Sequence, residues 1–297
     1  MAITIPPWRW KNLFSGWKNK EMAEYRLIAL DLDGTLLDDR GNIPEANRQA
    51  LYQRYQQGII IALASGRMTD CIVPFAEILG FDCAIIAYNG AMVKARAAEK
   101  RQIIFHQPLP AVYADYLVDY CRENHFHLNY YLKDVLYARD EEGLKKYAEL
   151  YSRQTGAVFH FVPDLAIFRG KQPTKLILIT DVRHQNSFRT RDYQYQFFQQ
   201  KLSGQVNLFR TNPEYLEFLK VGVDKGLGLL RLASFYGIDR EAILSFGDGE
   251  NDAEMLAAAG TGVALANAGE KAKQAADLVL DWTNNQAAIA RFLETSL

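Results

Sequence analysis

Cysteine is scarce in this chain of 297 residues: Cys71, Cys83 and Cys121 are scattered, odd in number and never paired as CxxC. That excludes a disulfide framework and a cysteine-built zinc site, and reduced thiols of this kind point to a cytoplasmic protein. Excess charge is missing as well. A formal net charge of −1 gives no basis for nucleic acid or an anionic membrane as a main partner. No apolar run approaches the roughly 18 residues of a membrane span, so no transmembrane segment is expected. The N-terminal residues also lack the apolar core of a signal peptide. There is no Gly/Ser linker, no repeat and no low-complexity tract. The GxxxxGK[ST] and GxGxxG loops of nucleotide-binding proteins are absent too; Gly222, Gly226 and Gly228 match neither spacing.

What is present is a chain that is 49% hydrophobic, enough for a sizeable core. At roughly 100–200 residues per domain, its length suggests two domains. Apolar runs at Leu27–Leu30, Ile59–Ala64, Ala84–Ala87, Ile243–Phe246, Gly262–Leu265 and Leu278–Leu280 read as parallel strands buried on both faces. Helical signals fall between them. Pro44 starts one helix and Gly58 stops it; Asp224 caps another that Gly237 ends; a third runs from about Asn251 to Ala259. Strand and helix in alternation predict an α/β fold, a Rossmann-like doubly wound parallel sheet with helices on both faces.

From about Gly90 to Lys220 the chain is rich in Tyr, Phe and charge and mixes helices (111–124, 144–154) with strand-like runs (175–180, 215–219). It reads as an inserted α+β domain. The expected division is an N-terminal extension at 1–24, a core at 25–89 and 221–297, and an insert at 90–220. The extension carries "WRWKNLFSGWKNK", in which Trp10, Leu13, Phe14 and Trp17 would share a helical face. A membrane-surface helix is one reading. An extension packed on its own domain or a second subunit is preferred, because the stretch is short and broken by Ser15-Gly16.

Polar residues cluster where the apolar runs end, which in open α/β sheets is where ligands bind. In "LIALDLDGTLLDDRG" Asp31 and Asp33 lie two apart, so in extended backbone they point the same way. A solvated turn would explain them alone. Ser65, Gly66 and Arg67 follow the second run, in "ALASGR", and Gly247 to Asp252 follow another, in "GDGEND". Lys225, in "GVDKG", opens a helix whose free N–H groups suit an anion. Read singly, Ser65 is a turn hydroxyl, Lys225 a solvated cation and Asn251 an N-cap. Together they suit phosphoryl transfer: Asp31, Asp33 and Asp248 offer the hard oxygens that Mg²⁺ prefers, and Ser65 and Lys225 offer a hydrogen bond and a charge to phosphate.

"DLDGT", "ASGR", "GVDKG" and "GDGEND", in that order, resemble the four motifs of the haloacid dehalogenase superfamily. The insert after "YNGA", with "PTKLILIT" and "EYLEFLKVGVDKG", is similar to the Cof-type branch of sugar-phosphatase-like hydrolases, and the resemblance runs from about Tyr25 to the C-terminus. It implies an Mg²⁺-dependent phosphatase acting on small phosphorylated metabolites, most readily sugar phosphates. By the resemblance Asp31 is the nucleophile that becomes an aspartyl-phosphate, and Asp33 the general acid and base. Mg²⁺ is held by Asp31, by the main-chain carbonyl of Asp33 and by Asp248. Ser65, Gly66, Lys225 and Asn251 bind the phosphate, and Asp252 stands behind them, orienting Lys225 or a metal-bound water. Arg67 and Asn89 match positions near the hinge of an inserted cap. Two things depart from the pattern: residues 1–24 are extra, and Ser65 stands where many relatives have Thr, which keeps the hydroxyl.

Two other functions are compatible with the motifs. A phosphotransferase or mutase would pass the phosphoryl group to a sugar hydroxyl, and a non-catalytic binding protein would keep the fold alone. His125 and His127 would share one face of a strand, as metal ligands do, with no third ligand nearby. Tyr130, Tyr131, Tyr137 and Arg169 are the substrate-contact candidates in the insert, although core packing accounts for most tyrosines there.

Overall fold

The computed structural model describes residues 25–181 and 188–296. The N-terminal aromatic and basic segment and His184 lie outside the described residues. Among the described residues, no helix is long and apolar enough to cross a membrane.

The first half of the large sheet is β1 (Leu27–Asp31), β2 (Ile60–Ala64), β3 (Cys83–Ala87), β4 (Met92–Lys94) and β5 (Ile103–His106), with α1 (Glu45–Gln56) and α2 (Val73–Leu79) in the crossovers. The chain then builds α3 (Ala111–Glu123), β6 (His127–Leu132), β7 (Val135–Arg139), α4 (Lys145–Thr155), β8 (Phe159–Val162), β9 (Lys175–Ile179), α5 (Arg191–Lys201), β10 (Val206–Arg210) and β11 (Tyr215–Lys220). It returns through α6 (Lys225–Tyr236), β12 (Ile243–Gly247), α7 (Ala253–Ala258), β13 (Thr261–Ala264), α8 (Glu270–Ala275), β14 (Leu278–Val279) and α9 (Ala288–Ser296).

Two sheets result. The larger runs β14-β13-β12-β1-β2-β3-β4-β5, and the smaller β10-β11-β9-β6-β7-β8. In the larger sheet every pairing from β14 to β3 is parallel, and only β4 and β5 add antiparallel strands. The six apolar runs are therefore strands within a residue or two of their expected ends. The sheet, however, continues past the expected boundary at residue 90: the chain leaves it only after β5, because the tight Tyr88–Gly90 turn folds β4 back onto β3.

Strands β1, β2, β3 and β12 are buried along their whole length, as a sheet covered on both faces requires. Leu51 of α1 and Ile289 and Leu293 of α9 pack with Ile28, Leu30 and Ile61 on one face; Leu229 and Leu232 of α6 and Met255 of α7 pack with Leu27, Ala29 and Ala62 on the other. Helix α6 starts and stops as its sequence dictates, with the Asp224 carboxylate accepting the Leu227 N–H at 2.7 Å and Gly237 left-handed at φ 61°.

In the smaller sheet β9 alternates strictly. Leu176 and Leu178 face α3 and α5, while Ile177 and Ile179 face the large-sheet core. Lys175 shares that inner register, as does Glu217 of β11, which pairs with Ile177. The two sheets are thus docked through one continuous apolar cluster interrupted by a few buried polar groups.

Candidate active site

Strand β1 is the switch point of the large sheet, since β2 lies on one side of it and β12 on the other. Chain connectivity leaves a crevice at its carboxyl end. Asp31 ends β1 there, Ser65 follows β2, Asp248 follows β12, and Lys225 opens α6.

The Lys225 side chain is wholly buried, and its Nζ donates to Asp31 Oδ1 at 2.6 Å and Asp252 Oδ1 at 2.5 Å. Burial alone would push this amine down, but the carboxylates of Asp252 and Asp31 outweigh it and hold the ammonium above its usual value. Asp252 is fully engaged: its Oδ2 accepts the N–H groups of Asp248 at 3.1 Å and Gly249 at 2.8 Å. Asp31, Asp248 and Asp252 each place an oxygen within 4.8 Å of the other two.

Three carboxylates against one ammonium leave surplus negative charge in a buried place. Asp31 is accordingly pushed well above the usual carboxylate range, by burial first and then by the charge of Asp252, with Lys225 opposing. Asp248 is pushed up to about 6, again chiefly by burial, with the Thr35 hydroxyl opposing through a 2.6 Å hydrogen bond to Oδ1. An all-oxygen set that resists ionising until positive charge arrives fits a hard divalent cation. Gly34 makes room for it: at φ 87° it takes a left-handed turn, and a Cβ there would stand 2.4 Å from Asp248 Oδ2.

The other expected residues gather around the same crevice. Ser65 is buried, and its Oγ accepts the Arg67 N–H at 3.2 Å. Gly66 packs so closely on Asn89 that a Cβ would lie 3.1 Å from its Oδ1. Asn251 is no helix cap; its Nδ2 donates to Asn89 Oδ1 at 2.9 Å. The Asn89 amide nitrogen is itself buried with no hydrogen-bond partner among the described residues. The Asp33 carboxylate stands apart from the buried cluster, gripped by both arms of Arg67 at 2.9 and 2.6 Å and 57% exposed at the mouth. Its expected metal contact is through the main-chain carbonyl, with which that side-chain direction does not conflict.

Three features escaped the sequence reading. Thr35 stood inside "DLDGT" without a role. The fork from Arg67 to Asp33 joins two motifs. Lys175, from the smaller sheet, reaches the Gly66 carbonyl of this site with Glu217 behind it; the only signal was a charge inside an otherwise apolar strand in "PTKLILIT" and "YLEFLK". Of the tyrosines singled out, Tyr131 faces the large sheet and donates to the Tyr151 hydroxyl at 2.7 Å. Tyr130 and Tyr137 instead pack on Phe168 in the opposite layer, and Arg169 bonds Asp119 of α3 at 2.7 Å, so these three serve packing away from the crevice. His125 precedes β6 at φ 52° and is exposed, whereas His127 is buried on Asn129 at 2.9 Å, so they form no metal pair.

A family model described as haloacid dehalogenase-like hydrolase matches residues 28–293. The chain is 28% identical over 270 residues to the 5-amino-6-(5-phospho-D-ribitylamino)uracil phosphatase YitU of Bacillus subtilis, covering 90% of this chain and 96% of that protein. It is 27% identical over 278 residues to the pyridoxal phosphate phosphatase YbhA of Escherichia coli, covering 92% and 98%. A solved haloacid dehalogenase-like hydrolase from Bacteroides thetaiotaomicron superposes with a TM-score of 0.80 at 31% identity, covering 92% of this chain and 100% of that one.

Proposed function

We propose, from the premise that this chain belongs to the haloacid dehalogenase-like hydrolase family in its Cof-type branch, that its phosphatase activity is directed at small phosphomonoesters, sugar phosphates first among them. The observation that carries the reading is the buried cluster of Asp31, Asp248, Asp252 and Lys225, drawn from three separate stretches of chain into one crevice.

The residue roles are those the family resemblance implies, and the contacts of Lys225, Asp252 and Asn251 support them. Lys225 holds Asp31 Oδ1, so the other carboxylate oxygen is the one available to attack phosphorus. An O–P bond forms as the ester O–P bond breaks, giving an aspartyl-phosphate. Asp33 protonates the departing alcohol oxygen. It then takes a proton from the water whose oxygen attacks the phosphorus, releasing inorganic phosphate and restoring Asp31. Ser65, the Gly66 loop, Lys225 and Asn251 bind the phosphate oxygens, and the partnerless amide nitrogen of Asn89 supports its place beside them. Asp252 keeps Lys225 and the 248–249 loop in place. Asp31, the Asp33 carbonyl and Asp248 would hold Mg²⁺, which when bound supplies positive charge to offset that of the phosphate.

We assign residues 25–106 and 221–297 to the catalytic core and the intervening segment to a cap that shields the crevice from water. The three free, buried cysteines support a cytoplasmic setting. The direct test is turnover of p-nitrophenyl phosphate by wild type and Asp31→Asn, with a fall of at least about 10³-fold expected. Equal rates would remove Asp31 as nucleophile. A panel of phosphorylated metabolites ranked by kcat/KM then identifies the substrate.

A further inference from the structure

Lys175 is 1% exposed, an unusual place for an ammonium. It enters from β9 of the smaller sheet and donates to the Gly66 carbonyl at 2.7 Å and to Glu217 Oε2 at 3.0 Å. The rings of Tyr88 and Tyr131 lie 5.8 and 5.3 Å from the nitrogen. Glu217 is itself buried and takes a second bond from Thr211 Oγ1 at 3.1 Å. This is a complete buried ion pair between strands of one sheet, aimed at the backbone of a loop belonging to the other.

That loop is the one carrying Ser65 and Arg67. Its Ser65 carbonyl accepts the Asn89 N–H and its Arg67 carbonyl the Tyr88 N–H, both at 3.0 Å, within the large-sheet unit. The Gly66 carbonyl between them takes its bond from the smaller sheet. We infer that Lys175 is a positioning residue: its ammonium fixes the Ser65–Arg67 loop only while the two sheets are docked, so docking of the cap completes the phosphate-binding site. Buried ion pairs add little net stability over apolar replacements, so an ammonium retained here is better explained by the geometry it imposes. The activity arm of the test rests on the phosphatase reading; the exchange arm does not.

Lys175→Met leaves Glu217 buried without its partner and is expected to unfold easily, so the decisive variant is Lys175→Met combined with Glu217→Met, which removes both charges. In that double variant amide hydrogen exchange at Arg67 should accelerate at least tenfold while the interior amides of β2 stay protected, a split that general loosening would not give. Its kcat for p-nitrophenyl phosphate should fall by about thirty- to a hundredfold, with KM changed less than threefold, as expected for a misplaced rather than missing binding group. Unchanged kcat with unchanged exchange at Arg67 overturns the inference, as does equal acceleration in β2. Wild type that turns over no phosphomonoester, while the variant still shows the local exchange change, removes the phosphatase reading and leaves the positioning role standing.

Discussion

Among the described residues two lysines are buried with carboxylates, one at each sheet, and their surroundings differ in charge balance. Lys225, in the crevice of the large sheet, stands among Asp31, Asp252 and the nearby Asp248, so the negative charge there exceeds the positive. Lys175, on the inner face of the smaller sheet, is matched by Glu217 alone and spends its other bond on a neutral carbonyl. The first arrangement carries surplus negative charge that a bound cation would offset. The second is closed on itself and can only hold something in place. Charge surplus, rather than burial, separates a site that does chemistry from a contact that shapes it.

The largest effect that would sharpen this contrast is at Lys225. Lys225→Met should cost at least about 10³-fold in kcat/KM, because it removes the proposed phosphate ligand and frees Asp31 to rotate. Steady-state kinetics beside the Lys175/Glu217 double variant checks this, and equal losses in the two proteins would erase the distinction.

The inner face of the smaller sheet gives the next test. Burial, opposed by its hydrogen bond to Asn129, lowers the pKa of His127 from 6.5 to about 4. Unfolded chains therefore bind a proton there that the folded protein refuses between those two values. Stability from this group is complete above about pH 6.5 and is lost as pH falls toward 4, by about 3 kcal/mol in all. Urea unfolding of wild type and His127→Gln across that range should show the variant's pH profile flattened by this amount. Parallel profiles would mean that the smaller sheet does not hold a neutral histidine.

The smallest effect is at Thr35, whose hydroxyl steadies Asp248. Thr35→Val should raise the Mg²⁺ concentration for half-maximal activity about tenfold and leave kcat at saturating Mg²⁺ nearly unchanged. A fall in kcat with no change in metal requirement would place Thr35 in the chemistry instead of behind it.

Much of this was legible in the sequence because parallel strands buried on both faces leave uninterrupted apolar runs, and residues that end them fall at one edge by topology. Asp31, Ser65 and Asp248 were readable for that reason, Lys225 from its place at a helix start, and the caps Asp224 and Gly237 for theirs. The docking contacts were not. Lys175 lies in an alternating strand whose two faces are both apolar, so its neighbours give no sign of which side it takes. Its partner Glu217 is 42 residues away and the Gly66 carbonyl 109. Tyr130 and Tyr131 show the same difficulty: adjacent tyrosines enter opposite layers, and only the register of β6 against β9 decides which one meets the large sheet. That the sheet continues beyond residue 90 was not legible because β4 and β5 are short, and only their pairing onto β3 places them in it.

At the seam between the two sheets the chain crosses twice, side by side. Gly90, at φ 90°, presses so tightly on the Asp224 carbonyl that a Cβ would lie 2.0 Å from it, and the Lys220 ammonium donates to the Gln107 side chain. The outgoing and returning strands of polypeptide are therefore neighbours at the junction. A short bridge from Gln107 to Lys220 would close the large sheet on itself, and a foreign unit spliced at the same two points would need no long tethers. Where the chain leaves the large sheet is thus also where it re-enters, so the smaller sheet is joined to the larger by two adjacent points.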